Sequence, residues 1–205
     1  MIAIIDYGVG NLFSLKSSFA YINQDAVVTG DKTIIDNADK IILPGVGAFR
    51  DAAEKLSAGG LDEVIREQTK KGKYIMGICL GMQLLFDKSF EYGEYAGLSL
   101  IKGDVCPISD VIPKGLKIPH MGWNALDFKG EAHPIFKNIH EKDYVYFVHS
   151  YYAAKCDDST IATCDYGYPL TAAVAKDNVI GCQFHPEKSG DVGLNILKAF
   201  CDLEG

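Results

Sequence analysis

The sequence predicts an α/β fold built on a mostly parallel central sheet to which antiparallel strands are added. Three observations carry that expectation. Over roughly the first hundred residues, short apolar runs alternate with longer amphipathic ones, the pattern of βαβ units. The run YIMGI (74–78) has no polar alternation, as in a parallel strand covered on both faces. From about residue 98 the pattern changes to strand after strand, which adds hairpins to the parallel core.

Each element follows in order. IAIID (2–6) reads as the first strand, GVGN as a turn, and residues 11–22 as a helix with Leu12, Leu15, Phe19 and Ile22 at helical spacing. AVVT (26–29) and KIILP (40–44) read as strands. A helical stretch over 48–71 is broken at Gly59 and Gly60 and ends in a basic turn and a glycine stop at Lys71 and Gly72. YIMGI follows as a strand and a helix begins near Leu80. Strands are then expected in LSLIKGDV (98–105), GLKIPHMGWNALDF (115–128), DYVYFVHSYYA (143–153), STIATCDYG (159–167) and LTAAVAKDNVIGCQFHP (170–186), with a final helix over 189–203.

A chain of 205 residues with 48% hydrophobic content suits one domain over 1–205, with no evident linker. The net charge of −7 argues against a nucleic-acid partner, and the one dense basic stretch, Lys70, Lys71 and Lys73, suits a solvated helix end. The start, MIAIIDYGVGN, lacks the basic n-region and long apolar stretch of a signal peptide, and no run of 18 apolar residues occurs. No membrane association and a cytoplasmic location are expected. Six cysteines occur without a CxxC pair or zinc-type spacing, so reduced thiols and no metal are expected.

One cysteine stands apart. Cys79 in GICLG falls between a strand ending at Ile78 and a helix starting near Leu80, the sharp turn that presents a nucleophile. Gly77 and Gly81 remove side chains that would clash as the helix doubles back on the strand. The thiol is expected at the positive end of a helix, which favours thiolate, with the Leu80 N–H placed for an oxyanion. A lone cysteine in apolar sequence is more often structural. The G-x-C-x-G frame reverses that preference for Cys79, while Cys106, Cys156, Cys164, Cys182 and Cys201 have no such frame and are read as structural.

A thiolate nucleophile needs a base that also protonates the leaving group, and a third group that orients it. His133 and His140 lie in polar loops, and His120 and His149 sit near strand ends, where a structural role is at least as plausible as a catalytic one. His185 ends the apolar run VIGCQF, and Pro186 holds it out of the helical region, so that Glu187 can face the same way and fix its tautomer. The loop LPGVGAF (43–49) follows a buried strand and can bring the N–H groups of Val46 and Gly47 to an oxyanion. DYGVGN (6–11) invites a dinucleotide reading, but Phe13 occupies the third glycine position of G-x-G-x-x-G, and no cofactor site is expected.

PGVG at 44–47, GICLGMQ at 77–83 and QFHPEKS at 183–189 resemble, in order and spacing, the class I glutamine amidotransferases of the Cys-His-Glu triad type. With YGVGN, PHMGWN (119–124) and YFVHSYY (146–152), the resemblance covers essentially the whole chain. It is strongest to the branch whose glutaminase subunits serve a (β/α)8-barrel synthase of histidine biosynthesis. It implies a flavodoxin-like three-layer fold, catalytic Cys79, His185 and Glu187, and an oxyanion hole from Leu80 and the Val46-Gly47 segment. L-glutamine is the implied substrate, contacted by Gln83 and, on weaker grounds, by Glu91, Ser150 and Tyr151. Without the resemblance Gln83 reads as ordinary surface. A heterodimer with the barrel subunit is implied, docked around Asn11, the PHMGWN block with Trp123, and Lys188; a core position for Trp123 fits the sequence equally well. The family's PGVG loop tends to rest with its N–H turned away from the oxyanion, and the β-branched Val46 resists the flip. The alternatives are a glutaminase subunit for anthranilate, GMP or pyridoxal phosphate synthesis, a Cys-His hydrolase on a related fold, and a non-catalytic module.

Overall fold

The computed structural model describes residues 1–204. Strand β1 (Ile2–Ile5) leads through a tight turn into helix α1 (Leu12–Tyr21), and β2 (Ala26–Thr29) into α2 (Lys32–Asn37). The short α2 exists because Asp31 caps it, its carboxylate accepting from the amides of Thr33 at 2.7 Å and Ile34 at 3.4 Å. Strand β3 (Lys40–Leu43) is followed by α3 (Phe49–Ala58) and α4 (Leu61–Lys70), separated at the two glycines as expected. Helix α4 carries Asp62 and Glu63 in its first turn and Lys70 in its last, matching its dipole. Strand β4 (Tyr74–Ile78) runs into the short helix α5 (Leu80–Leu84).

The second half is richer in strands: β5 (Lys88–Ser89), β6 (Tyr95–Ala96), β7 (Asp104–Pro107), β8 (His120–Ala125), β9 (Asp127–Phe128), β10 (Tyr144–His149), β11 (Tyr151–Ala154), β12 (Thr160–Asp165), β13 (Pro169–Lys176) and β14 (Val179–Cys182), closed by α6 (Gly190–Cys201). The main sheet has the order β2-β1-β3-β4-β14-β13-β12-β9. From β2 to β14 every pairing is parallel, and β13, β12 and β9 continue it antiparallel.

Alternation along the central strands shows why helices cover both faces. Ile2 and Ile4 of β1 pack in a core with Leu15 and Phe19 of α1 and Ile196 and Phe200 of α6. Ala3 and Ile5 enter a second core with Ile35 of α2, Leu56 of α3 and Ile65 of α4. Strands sandwiched in this way cannot alternate apolar with polar, which is why they read as unbroken apolar runs.

Four segments depart from the expected strands: GLKIPHMGWNALDF holds two, β8 and β9, LTAAVAKDNVIGCQFHP holds the hairpin of β13 and β14, and two others differ further. LSLIKGDV is strand only from Asp104; before it, Leu98 and Ile101 are buried in an irregular segment whose amides bond to the carbonyls of Leu84 and Leu85. Side-chain burial alone made that stretch look like strand. DYVYFVHSYYA is not one strand but two, parted at Ser150: β10 pairs with β8 in a separate ribbon, while β11 pairs with β7.

Candidate active site

Three adjacent parallel strands assemble the site. Leu43 of β3 lies opposite Gly77 of β4, and Ile78 of β4 opposite Cys182 of β14. Their carboxyl ends therefore finish side by side, and the segments that follow them, PGVG, CLG and QFHPE, emerge together where open α/β sheets bind ligands.

Cys79 has φ 55° and ψ −112°, a conformation that side chains other than glycine rarely adopt. Its amide donates to Cys182 O at 2.7 Å, which pins the turn to β14. The flanking glycines are required by space. A Cβ on Gly81 would lie 1.9 Å from Leu43 O, and one on Gly77 would lie 2.6 Å from Gly81 O. Gly45 is held in the same way, with its Cβ position 2.7 Å from the amide nitrogen of Gly81. Thus the PGVG loop packs directly on the turn that carries Cys79. The Tyr7 hydroxyl donates to Pro44 O at 2.6 Å and fastens the base of that loop; burial, and then the Cys79 charge, push this phenol above its ordinary range.

His185 is buried, and its Nδ1 bonds to Glu187 Oε1 at 2.8 Å, both side chains being nearly sealed from solvent. Its Nε2 is buried without a hydrogen-bond partner among the described residues, which leaves that nitrogen free for chemistry. Burial disfavours a charged ring here, but the nearness of Cys79, together with the hydrogen bond and charge of Glu187, outweighs it and raises the pKa from 6.5 to about 10. The ring is anchored from behind: its amide donates to Tyr146 O, and Ser189 Oγ donates to His185 O at 2.6 Å.

A cavity of about 320 Å³ opens between these elements. Cys79 and His185 line it, as do Val46, Gly47 and Leu80 from the expected oxyanion hole and Gln83, Glu91, Ser150 and Tyr151 from the expected glutamine pocket. Glu187 stands behind His185. Leu80 opens α5, where an amide has no acceptor within the helix. In the PGVG loop Gly47 takes the positive φ, +95°, while Val46 stays outside that region. Glu91 Oε2 accepts from the Phe49 amide at 2.5 Å, tying the far end of the loop to the pocket wall.

Some residues fall where simple reading does not put them. Gln83, which reads as surface without the family resemblance, is 5% exposed, because α5 lies under the cavity rather than on the outside. Its Nε2 donates to Gln183 Oε1 at 3.0 Å and to Tyr151 O at 3.3 Å. Trp123 is not core: it is 55% exposed on the β8 and β10 ribbon, its ring edge-on to Tyr146 at 6.2 Å. Lys188 sits 5.9 Å above the same Tyr146 ring, so these two interface candidates belong to one surface. Asn11 is half-buried ahead of α1 and its side chain makes no capping bond. Gln183, Tyr7 and Val148 were not singled out by the sequence; only their place in or beside the motifs could have marked them.

A family model described as "Glutamine amidotransferase class-I" matches residues 3–202. The imidazole glycerol phosphate synthase subunit HisH of Caldanaerobacter subterraneus subsp. tengcongensis is 51% identical over 204 residues, covering 99% of this chain and 98% of that protein. The same-named subunit of Syntrophotalea carbinolica is 50% identical over 207 residues, covering 99% and 100%. A solved structure described as "Structure of PurLQS from Thermotoga maritima" superposes with a TM-score of 0.72 over 98% of this chain and 97% of that one, at 21% identity, a likeness of fold. Sequence and architecture agree: the chain belongs to the class-I glutamine amidotransferases, in the family of the HisH subunits of imidazole glycerol phosphate synthase.

Proposed function

We propose that this chain, as one glutamine amidotransferase domain, is the glutaminase subunit of an imidazole glycerol phosphate synthase and hydrolyses L-glutamine through Cys79, His185 and Glu187. The observation that carries the reading is the strained Cys79 turn facing one cavity with His185, whose other ring nitrogen is held by buried Glu187.

Cys79 Sγ, its proton taken by His185 Nε2, attacks the side-chain carboxamide carbon of glutamine. The tetrahedral oxyanion is met by the Leu80 N–H and by one from the Val46-Gly47 segment. His185 returns its proton to the departing nitrogen, ammonia leaves, and a thioester remains on Cys79. The same ring then takes a proton from water, which attacks the thioester and releases glutamate and the free thiol. Gln83 and Glu91, with the Ser150-Tyr151 segment, hold the amino-acid end of the substrate.

Ammonia in water at neutral pH is mostly the non-nucleophilic ammonium ion, so the product is delivered directly to a synthase subunit. The HisH name borne by the relatives supports such a partner. We take it to be a (β/α)8 barrel in a heterodimer for L-histidine biosynthesis, docked over Asn11, the β8 strand with Trp123, and Lys188. The exposure of Met121 at 61% and Trp123 at 55% supports that face, since large apolar side chains exposed side by side mark contact surfaces. Six free thiols and the lack, among the described residues, of a helix long and apolar enough to cross a membrane fit a cytoplasmic setting. No cofactor enters the chemistry.

Glutamate release from L-glutamine, measured for this chain alone and with the synthase subunit and its nucleotide, tests the reading. Because Val46 resists turning its peptide, activity alone is expected to be low and to rise with the loaded partner. Cys79→Ala abolishes it in both settings. High activity without a partner overturns the gated subunit, and no activity under either condition overturns the enzyme.

A further inference from the structure

Outside the triad, a chain of hydrogen bonds near the cavity begins on β8 and ends at the nucleophile. Asn124 Nδ2 lies 3.3 Å from His120 Nε2, His120 Nδ1 lies 2.9 Å from His149 Nε2, and His149 Nδ1 lies 2.8 Å from Tyr151 O. Gln83 Nε2 meets the same Tyr151 carbonyl, reaches Gln183 Oε1, and Gln183 Nε2 lies 3.8 Å from Cys79 Sγ. His120, His149, Gln83 and Gln183 are all buried, at 3%, 6%, 5% and 0% exposure.

The direction of every bond in the histidine segment is dictated by its ends. A carbonyl only accepts, so His149 carries its hydrogen on Nδ1, and a neutral ring then accepts at Nε2. His120 must therefore donate from Nδ1 and accept at Nε2, where the Asn124 amide faces it. That amide's orientation is independently set, because Asn124 Oδ1 accepts from the Ala125 N–H at 2.8 Å and its Nδ2 also donates to Asp165 O at 2.9 Å. A proton on either ring would set two donors against each other within this chain. Burial keeps both rings neutral, with His120 lowered to about 4 and His149 to about 3.

We propose that His149, oriented by His120, is a positioning residue for the glutaminase reaction: by donating to Tyr151 O it fixes the peptide that also holds Gln83, and through Gln83 and Gln183 it sets the wall beside Cys79. This rests on the glutaminase reading above. Removing the imidazole leaves the Tyr151 carbonyl with Gln83 as its one side-chain donor and leaves His120 Nδ1 without an acceptor, so the pocket wall loses its single arrangement.

The test combines kinetics of the full chain with its synthase partner on L-glutamine and imidazole 15N NMR of the chain itself. In His149→Ala, kcat/KM for glutamine falls about ten-fold or more, as expected for loss of a buried, oriented hydrogen bond. In His149→Asn the side-chain amide occupies the place of Nδ1 and restores donation to Tyr151 O, bringing kcat/KM back to within about three-fold of the parent. The NMR spectrum at neutral pH shows both rings neutral with hydrogen on Nδ1. Should His149→Ala fail to fold, the Asn variant and the ring tautomers decide. Parent-like kcat/KM in a folded His149→Ala, an Asn variant no better than the Ala variant, or hydrogen on His149 Nε2 each overturns the positioning role while leaving the glutaminase intact. A parent chain that releases no glutamate even with its loaded partner overturns both.

Discussion

The role proposed for Glu187 rests on a single contact. Its one hydrogen bond is to His185 Nδ1, and its other oxygen, Oε2, is buried without a partner among the described residues. Such an arrangement is costly for a carboxylate unless a charged neighbour balances it, and the raised pKa of His185 is that balance. Glu187→Gln keeps the shape and removes the charge. Glutamine turnover is then expected to fall about a hundred-fold to ten-thousand-fold, as when the orienting acid of a triad is neutralised. The His185 titration midpoint, followed by ring NMR, moves down from about 10. A variant with unchanged turnover and an unchanged midpoint would remove Glu187 from the machinery. At this scale the sequence was informative: H-P-E set an acid two residues from a histidine across a rigid proline, and local geometry did the rest. Gln83 was not legible in that way, since whether a helical residue faces cavity or solvent depends on what the helix lies against.

At the scale of elements, the junction of β4 and α5 is governed by absent side chains. Gly81 and Gly47 make the contrast clear. A methyl group on Gly81 would sit 1.9 Å from a backbone oxygen, whereas one on Gly47 would meet nothing within 4 Å and would suffer only from the positive φ. Gly81→Ala is therefore expected to cost about 3 kcal/mol or more and to shift the Cys79 turn, with turnover lost even where the chain still folds. Gly47→Ala is expected to cost about 1–2 kcal/mol and to act mainly on the loop. Denaturant unfolding of the two variants checks the order, and equal losses would show that steric contact at Gly81 is not what shapes the turn. Gly77 made this turn legible in the sequence because its clash with Gly81 is a local matter, whereas the clash at Gly81 is with Leu43 of the neighbouring strand and only the tertiary structure shows it. The segment 98–103 misled for the converse reason: apolar side chains can be buried from an irregular backbone whose amides find acceptors in α5 and the residues after it.

Across the whole molecule, buried histidines couple stability to pH in opposite senses. His120 and His149 are pushed by burial from 6.5 to about 4 and about 3. The unfolded chain takes up protons at these positions near 6.5, so the stability they contribute is present above that value and is lost as pH falls through about 4 to 3. His185 is raised to about 10, so its contribution is present below 6.5 and is lost as pH rises through about 10. Thermal unfolding midpoints should therefore decline on acidification from pH 6.5, and more steeply in the parent than in a chain carrying both His120→Asn and His149→Asn. Identical acid slopes in the two chains would show that these rings do not titrate on unfolding.

By itself the sequence determined the βαβ pattern, the strained cysteine turn, the His185 and Glu187 pair, and the glycine-bearing loop, because each rests on residues within a few positions of one another. Only the tertiary structure decided that β3, β4 and β14 are neighbours in the sheet, so that motifs ending near residues 47, 81 and 187 share one cavity. Strand order is set by packing across the whole chain, which local spacing does not encode. The same holds for Trp123, which lies on the outside of a ribbon, and for His149, whose role depends on His120 and Tyr151 lying on either side of it in space.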